Sequence, residues 1–189
     1  MLEFEKKLML SKQEYETLCE LYPEPTVMQT NFYYDTEDFL YNKKGVTCRI
    51  RKKGERYNAT VKTHRTSTDD CSVERSQTAQ NEYDAALFAG MNVLPQGRLD
   101  TYRKDILMPN GICVAIDKNI YLDTEDYELE IEYHPLAEPL CDDVIRTLVM
   151  KLPHENREEL LQDFYRRMKR AKTKSERFFE RKQTIPFST

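Results

Sequence analysis

The chain has 189 residues, 39% hydrophobic and 33% charged, which suits one sizeable core and is too apolar for a disordered segment. Its 33 acidic and 29 basic residues leave a net charge of −4, arguing against a nucleic-acid binder driven by overall positive charge. The five cysteines (Cys19, Cys48, Cys71, Cys113, Cys141) are scattered without CxxC or Cys/His spacing, so neither a disulfide framework nor a structural zinc is expected. Free thiols and the lack of any long apolar run predict a cytoplasmic protein, folded as a single domain over 1–189 and without a membrane partner.

In chain order, residues 2–10 alternate as a half-buried strand does. SKQEYETLCEL (11–21) follows as a helix, with Ser11 and Glu14 in capping-box positions and Pro23 and Pro25 beyond its end. MQTNFYYDT (28–36) reads as a strand whose aromatics belong to the core, and 38–44 as a short turn or helix ending at Gly45. VTCRIRKK (46–53) and RYNATVKTH (56–64) form two strands joined at Gly54. A loop is expected at 66–70, a strand at 71–78 and a helix at 81–90 capped by Gly90. A turn at Pro95–Gly97 precedes a hairpin, LDTYRKDILM and ICVAIDKNIYL around Pro109-Asn110-Gly111, and then the strand YELEIEY (127–133). The last third is helical, with Met150 and Leu152 on a stripe facing the sheet and a basic end, KTKSERFFERK. The fold class is α+β, with roughly eight strands able to close into an antiparallel barrel.

Three strands repeat one feature. Glu3, Glu5 and Lys7 stand two apart, as do Arg49, Arg51 and Lys53, and Glu128, Glu130 and Glu132. Residues two apart share a face of a strand, so each strand has an apolar face and an ionic one. Any one of these could be a solvated outer face. Together, acid segregated from base is better explained by two walls of one enclosed space, because like charges on a free surface repel. Carboxylates suit Mg²⁺ or Mn²⁺, and arginine and lysine suit phosphate oxygens, so the cavity matches a metal-bound polyphosphate. Lys62 adds a cation on the next strand. No glycine-rich phosphate loop occurs, and His64, His134 and His154 form no cluster.

The segment Glu3-Phe4-Glu5-Lys6-Lys7 resembles the ExExK signature of the CYTH superfamily, the triphosphate tunnel metalloenzymes. YYDT (33–36), CRIRKK, TVK ending in Lys62, TYR (101–103), YELEIE and KTKSERF follow in the order such a protein has, over about residues 2–180. The chain looks most like small bacterial single-domain members named as adenylate cyclases or triphosphatases. The resemblance implies an eight-stranded tunnel. It implies metal-binding acids at Glu3 and Glu5, matched by Glu128 and Glu130; the register leaves open whether Glu132 replaces Glu128. Glu5, Glu128 and Glu130 are the expected catalytic acids. Triphosphate contacts are expected from Lys7, Arg49, Arg51 and Lys62, from Arg103 (or Lys104 in a register one residue off), and from Lys174 and Arg177 near one mouth. The middle strand departs from the pattern, offering only Glu74 with Ser72 two residues before it, and Asp117 is a further candidate acid. Mg²⁺- or Mn²⁺-dependent hydrolysis of a triphosphate-containing small molecule is the expected activity. Cyclisation of ATP and binding without turnover are the alternatives.

Overall fold

Alternation along MLEFEKKLML places Leu8 and Leu10 against the helices and the odd-numbered charged residues on the other face of β1 (Leu2–Leu10). The structure is a computed structural model that describes residues 2–64, 71–108 and 111–185. Among these residues eight strands close into an antiparallel barrel. Their order is β1, β5 (Cys71–Ala79), β4 (Arg56–His64), β3 (Val46–Lys53), β2 (Thr26–Asp35), β6 (Leu94–Leu107), β7 (Cys113–Tyr121) and β8 (Thr124–Tyr133). The seam between β1 and β8 is long, running from Phe4 opposite Tyr133 to Leu10 opposite Tyr127. The seam between β1 and β5 covers only Leu2–Phe4 against Cys71–Val73.

The apolar core lies largely outside the barrel wall. Helix α1 (Lys12–Leu21) begins at the expected capping box, with the Glu14 amide donating to Ser11 Oγ (3.2 Å) and the Ser11 amide to Glu14 Oε2 (2.7 Å). Its Leu18 joins Ile145, Leu148 and Val149 of α3 (Cys141–Lys151) and Leu160, Leu161 and Phe164 of α4 (Arg157–Met168). These pack on Leu8, Ile116, Leu129 and Ile131 of β1, β7 and β8. Leu152 is buried here as expected; Met150 projects outward, because it lies on the far side of α3. Between β2 and β3, the buried Asp35 accepts from the amides of Thr36 (2.7 Å), Tyr41 (2.9 Å) and Asn42 (2.8 Å), holding the short α2 (Leu40–Lys43). The YYDT motif thereby gains a structural meaning.

Helix α5 (Lys174–Thr184) closes one end of the barrel. Its Phe178 and Phe179 pack on Tyr33 with ring centroids 4.9 and 5.9 Å apart, and with Leu99 and Tyr121 they form a cluster of their own. Gly97 makes room for this helix: its φ is +139°, and a Cβ there would meet Phe178 Cζ at 2.9 Å.

Two further expectations need correction. The helix expected at 81–90 is a turn-rich segment with only one 3₁₀ turn at Ala86–Phe88. Local bonds compete with a helix: Asn81 Oδ1 accepts from the Tyr83 amide and Asp84 Oδ2 from the Gln80 amide, both at 2.9 Å. Pro95–Gly97, expected as a turn, lies inside β6 at the point where its register with β2 shifts, between Tyr33 and Tyr34. A bulge of this kind tolerates both proline and glycine in a strand. The loop expected at 66–70 and the turn residues Pro109 and Asn110 lie outside the described residues.

Candidate active site

Alternation carries the ionic faces of β1, β3, β4, β6 and β8 to one interior cavity. Its lining includes Glu3, Glu5 and Lys7 from β1, Arg49 and Arg51 from β3, Lys62 from β4, Arg103 from β6, Glu130 and Glu132 from β8, and Lys174 from α5. The cavity is narrow, about 80 Å³. The register choices left open by the sequence are resolved. Arg103 points inward, whereas Lys104 points to the outside and donates to the carbonyls of Cys19 (2.8 Å) and Tyr22 (2.6 Å) at the end of α1. Glu128, Glu130 and Glu132 all face the interior side of β8, but at three depths.

Nearest the mouth, Glu132 is 50% exposed and stands 3.4 Å from Arg103 Nη1. One oxygen each from Glu5, Glu130 and Glu132 lies within 4.8 Å of the others, a spacing at which three carboxylates can share one cation. Glu3 sits at the rim, where Lys62 Nζ bridges it to Glu5 at 3.0 and 3.2 Å. Burial alone would raise the Glu5 carboxyl, but Lys7 (2.6 Å) and Lys62 overcome both that and the repulsion of Glu130, holding it at about 2. Glu130 is likewise held well below the carboxylate range, against its burial, by Lys174, Arg103 and Lys7. Glu132 moves the other way, pushed up by burial and by the negative charge of Glu130.

The deepest acids do not line the cavity. Asp117 and Glu128 are fully buried toward α5. Arg103 clamps Asp117 with two bonds, 2.9 and 2.6 Å, and also donates to Glu130. Lys174 touches Asp117, Glu128 and Glu130 at 2.9, 3.2 and 2.9 Å. Arg177 binds Glu128 and, at 2.8 Å, Asp126. Lys174 and Arg177 therefore meet acids of the barrel floor, and both are held above their ordinary values by those acids despite burial.

The β3 wall is different. Arg51 donates to Asn31 Oδ1 (2.9 Å) and has no carboxylate partner among the described residues. Burial together with repulsion from Arg49 and Arg103 lowers its pKa to about 10. Arg49 has only a long contact with Glu74 (3.7 Å), and its Nε is buried without a bond. Glu74 is half-buried, and burial raises its carboxyl. A buried guanidinium with unspent donors, facing a trio of carboxylates, is an arrangement that can hold an anion beside a cation.

Tyr33, Thr47, His64, Thr173 and Ser175 also line the cavity. Thr47 and His64 were legible in principle, since each stands two residues from a named cation on its strand. Tyr33 was read as core, and its burial among the phenylalanines of α5 bears that out while it also faces the cavity.

Known proteins share this architecture. The Bacillus subtilis (strain 168) protein named "Putative triphosphatase YjbK" is 28% identical over 208 residues, covering 96% of both chains. The crystal structure of a "putative adenylate cyclase" from Bacillus halodurans superposes with a TM-score of 0.64 at 23% identity, over 84% of this chain and 96% of that one. HpAC1 from Hippeastrum, reported with a dominant triphosphatase activity, matches with a TM-score of 0.60 at 14% identity, over 85% and 95%. The CYTH domain model matches residues 1–165, and the chain belongs to the CYTH family.

Proposed function

We propose that the protein hydrolyses a triphosphate, inorganic tripolyphosphate or a small organic one, with Mg²⁺ or Mn²⁺ as cofactor. The observation that carries this reading is the opposition of Glu5, Glu130 and Glu132 to the carboxylate-free Arg51 across one narrow cavity. The three carboxylates offer hard oxygen donors and fit a divalent ion of this kind. When bound, the ion neutralises phosphate charge and acidifies water. Glu3 at the rim and Glu74 on β5 are reserve acids. Arg49, Arg51 and Lys62 bind the phosphate oxygens, Arg51 through its unused N–H groups. Lys7 keeps Glu5 ionised, and Arg103 and Lys174 do the same for Glu130. Asp117, Glu128 and Arg177 act one step further back, as the buried salt-bridged layer that fixes Arg103 and Lys174. Water attacks the terminal phosphorus, the phosphoanhydride oxygen leaves, and no protein nucleophile is required.

The test is incubation with Mg²⁺ or Mn²⁺ and tripolyphosphate or ATP, followed by separation of the products. Orthophosphate release that stops on chelation is expected. Pyrophosphate with a cyclic nucleotide, or no product at all, would overturn the reading.

A further inference from the structure

Two pairs of facing residues in the barrel wall share one geometry and differ in one group. On β6 and β7, Arg103 stands directly opposite Asp117; on β3 and β2, Arg51 stands directly opposite Asn31. In each pair the arginine Nε donates to the partner's Oδ1 at 2.9 Å, and both partners are fully buried. Asp117 is an anion and accepts a second bond from Arg103 Nη2 (2.6 Å), so that guanidinium is neutralised where it stands. Asn31 carries an amide N–H₂ in place of the second oxygen. It aims the guanidinium of Arg51 and leaves its charge unmatched. The electrostatics diverge accordingly. Burial lowers Arg51 to about 10, with Arg49 and Arg103 adding to the effect, whereas Arg103, despite burial, is held above its ordinary value by Glu130 and Asp117.

A guanidinium only donates, so the Asn31 oxygen has to face Arg51 and its Nδ2 is turned elsewhere. That Nδ2 is buried without a hydrogen-bond partner. So are Nε2 of Gln29, two residues away on the same face of β2, and Nε of Arg49, two residues from Arg51 on β3. Buried polar groups in folded chains are nearly always paired, and these three are all donors. Among the described residues no carboxylate lies within ion-pair distance of Arg51, while Lys7, Arg49, Lys62, Arg103 and Lys174 each meet one. In the barrel order β2 lies four strands from β1 in either direction, so this donor-rich wall faces the carboxylate wall across the interior. What it lacks is an acceptor, and an ionised phosphoryl group offers only acceptors.

We propose that Asn31 is the positioning residue that keeps Arg51 available to a phosphoryl group: it holds the guanidinium through Nε without neutralising it, and so separates Arg51 from Arg103, which Asp117 retains for structure. The inference rests on the triphosphate reading of the tunnel and adds the residue that selects its anion-binding arginine. The test compares Asn31→Asp with Asn31→Ala, by KM and by calorimetric binding of tripolyphosphate under chelation, where no turnover intervenes. Asn31→Asp keeps the size and the bond but supplies a counter-ion. It should weaken tripolyphosphate binding about 10- to 100-fold, the worth of a hydrogen bond to a charged group, with KM rising more than kcat falls. Asn31→Ala keeps the charge of Arg51 and loses only its aim, and should cost about two- to tenfold. A merely structural role gives the opposite order, because aspartate is the closer mimic of asparagine. The melting midpoint should hold or rise in Asn31→Asp, where a buried guanidinium gains its partner, and fall in Asn31→Ala. Equal losses, the opposite order in binding, or an Asn31→Asp protein that melts below Asn31→Ala or fails to fold overturns the proposal. The hydrolysis reading fails separately. A wild type that binds tripolyphosphate and releases no orthophosphate sinks that reading, and the order of the two variants still decides this one. A wild type that neither binds nor hydrolyses tripolyphosphate overturns both.

Discussion

Arg51 and Arg103 face the same cavity, but their surroundings predict opposite responses to truncation. Arg51 is bound only through Asn31, and its charge is disfavoured by burial and by neighbouring arginines. Arg51→Ala should lower kcat/KM about 10- to 100-fold, the worth of one charged hydrogen bond, chiefly by raising KM. Its thermal midpoint should hold or rise, which a melting curve would show. Arg103→Ala instead leaves Asp117 and Glu130 with a buried charge deficit, and should cost about 3–5 kcal/mol in urea unfolding. Glu5 gives the pH dependence. Its carboxyl lies near 2 in the folded chain against 4.5 when unperturbed, so the stabilisation is complete above 4.5 and is lost as pH falls toward 2. Stability measured from pH 4.5 to 2 should therefore fall more steeply in the wild type than in Glu5→Gln, a variant that should also lose turnover. A parallel fall would show that Glu5 is not held by Lys7 and Lys62.

At the scale of the element, α5 was the hardest part to anticipate. KTKSERFFERK reads as a basic end; the resemblance put its Lys174 and Arg177 near one mouth, but that Phe178 and Phe179 would seat it on Tyr33 was not read from the sequence. The charged triplets of β1, β3 and β8 were legible because period 2 is a local property of a strand. Which acids reach the cavity was not. Glu128 and Glu130 share one face and one alternation, and only the arrival of Lys174 and Arg177 from far along the chain separates a floor from a lining. The 81–90 segment misled for a local reason: an apolar composition was outweighed by side-chain bonds from Asn81 and Asp84. Gly97 tests how α5 is seated. Gly97→Ala would press on Phe178 in a backbone conformation that L-residues avoid, and should cost about 1–3 kcal/mol in denaturant unfolding. A neutral effect would mean that α5 is loosely docked.

On the scale of the whole molecule, barrel and helices are mutually inserted. α1, α3 and α4 cover the outside, α5 fills one end, and no helix among the described residues is long and apolar enough to cross a membrane. We therefore expect a single calorimetric unfolding transition, with equal van't Hoff and calorimetric enthalpies. Two separated transitions would show that the barrel stands without its C-terminal helices. Closure of the sheet was readable as a possibility from the number of strands. The strand order was not, because β1 beside β8 joins residues more than a hundred positions apart.

That same pairing constrains how the protein comes into being. While it is still on the ribosome, the leading strand lacks its long seam with β8 until Thr124–Tyr133 has emerged. The acids of the interior meet their last counter-ions only once Lys174 and Arg177 have followed. Such distant contacts make folding slow. A nascent chain arrested before α5 should be open to protease, with resistance appearing only after release.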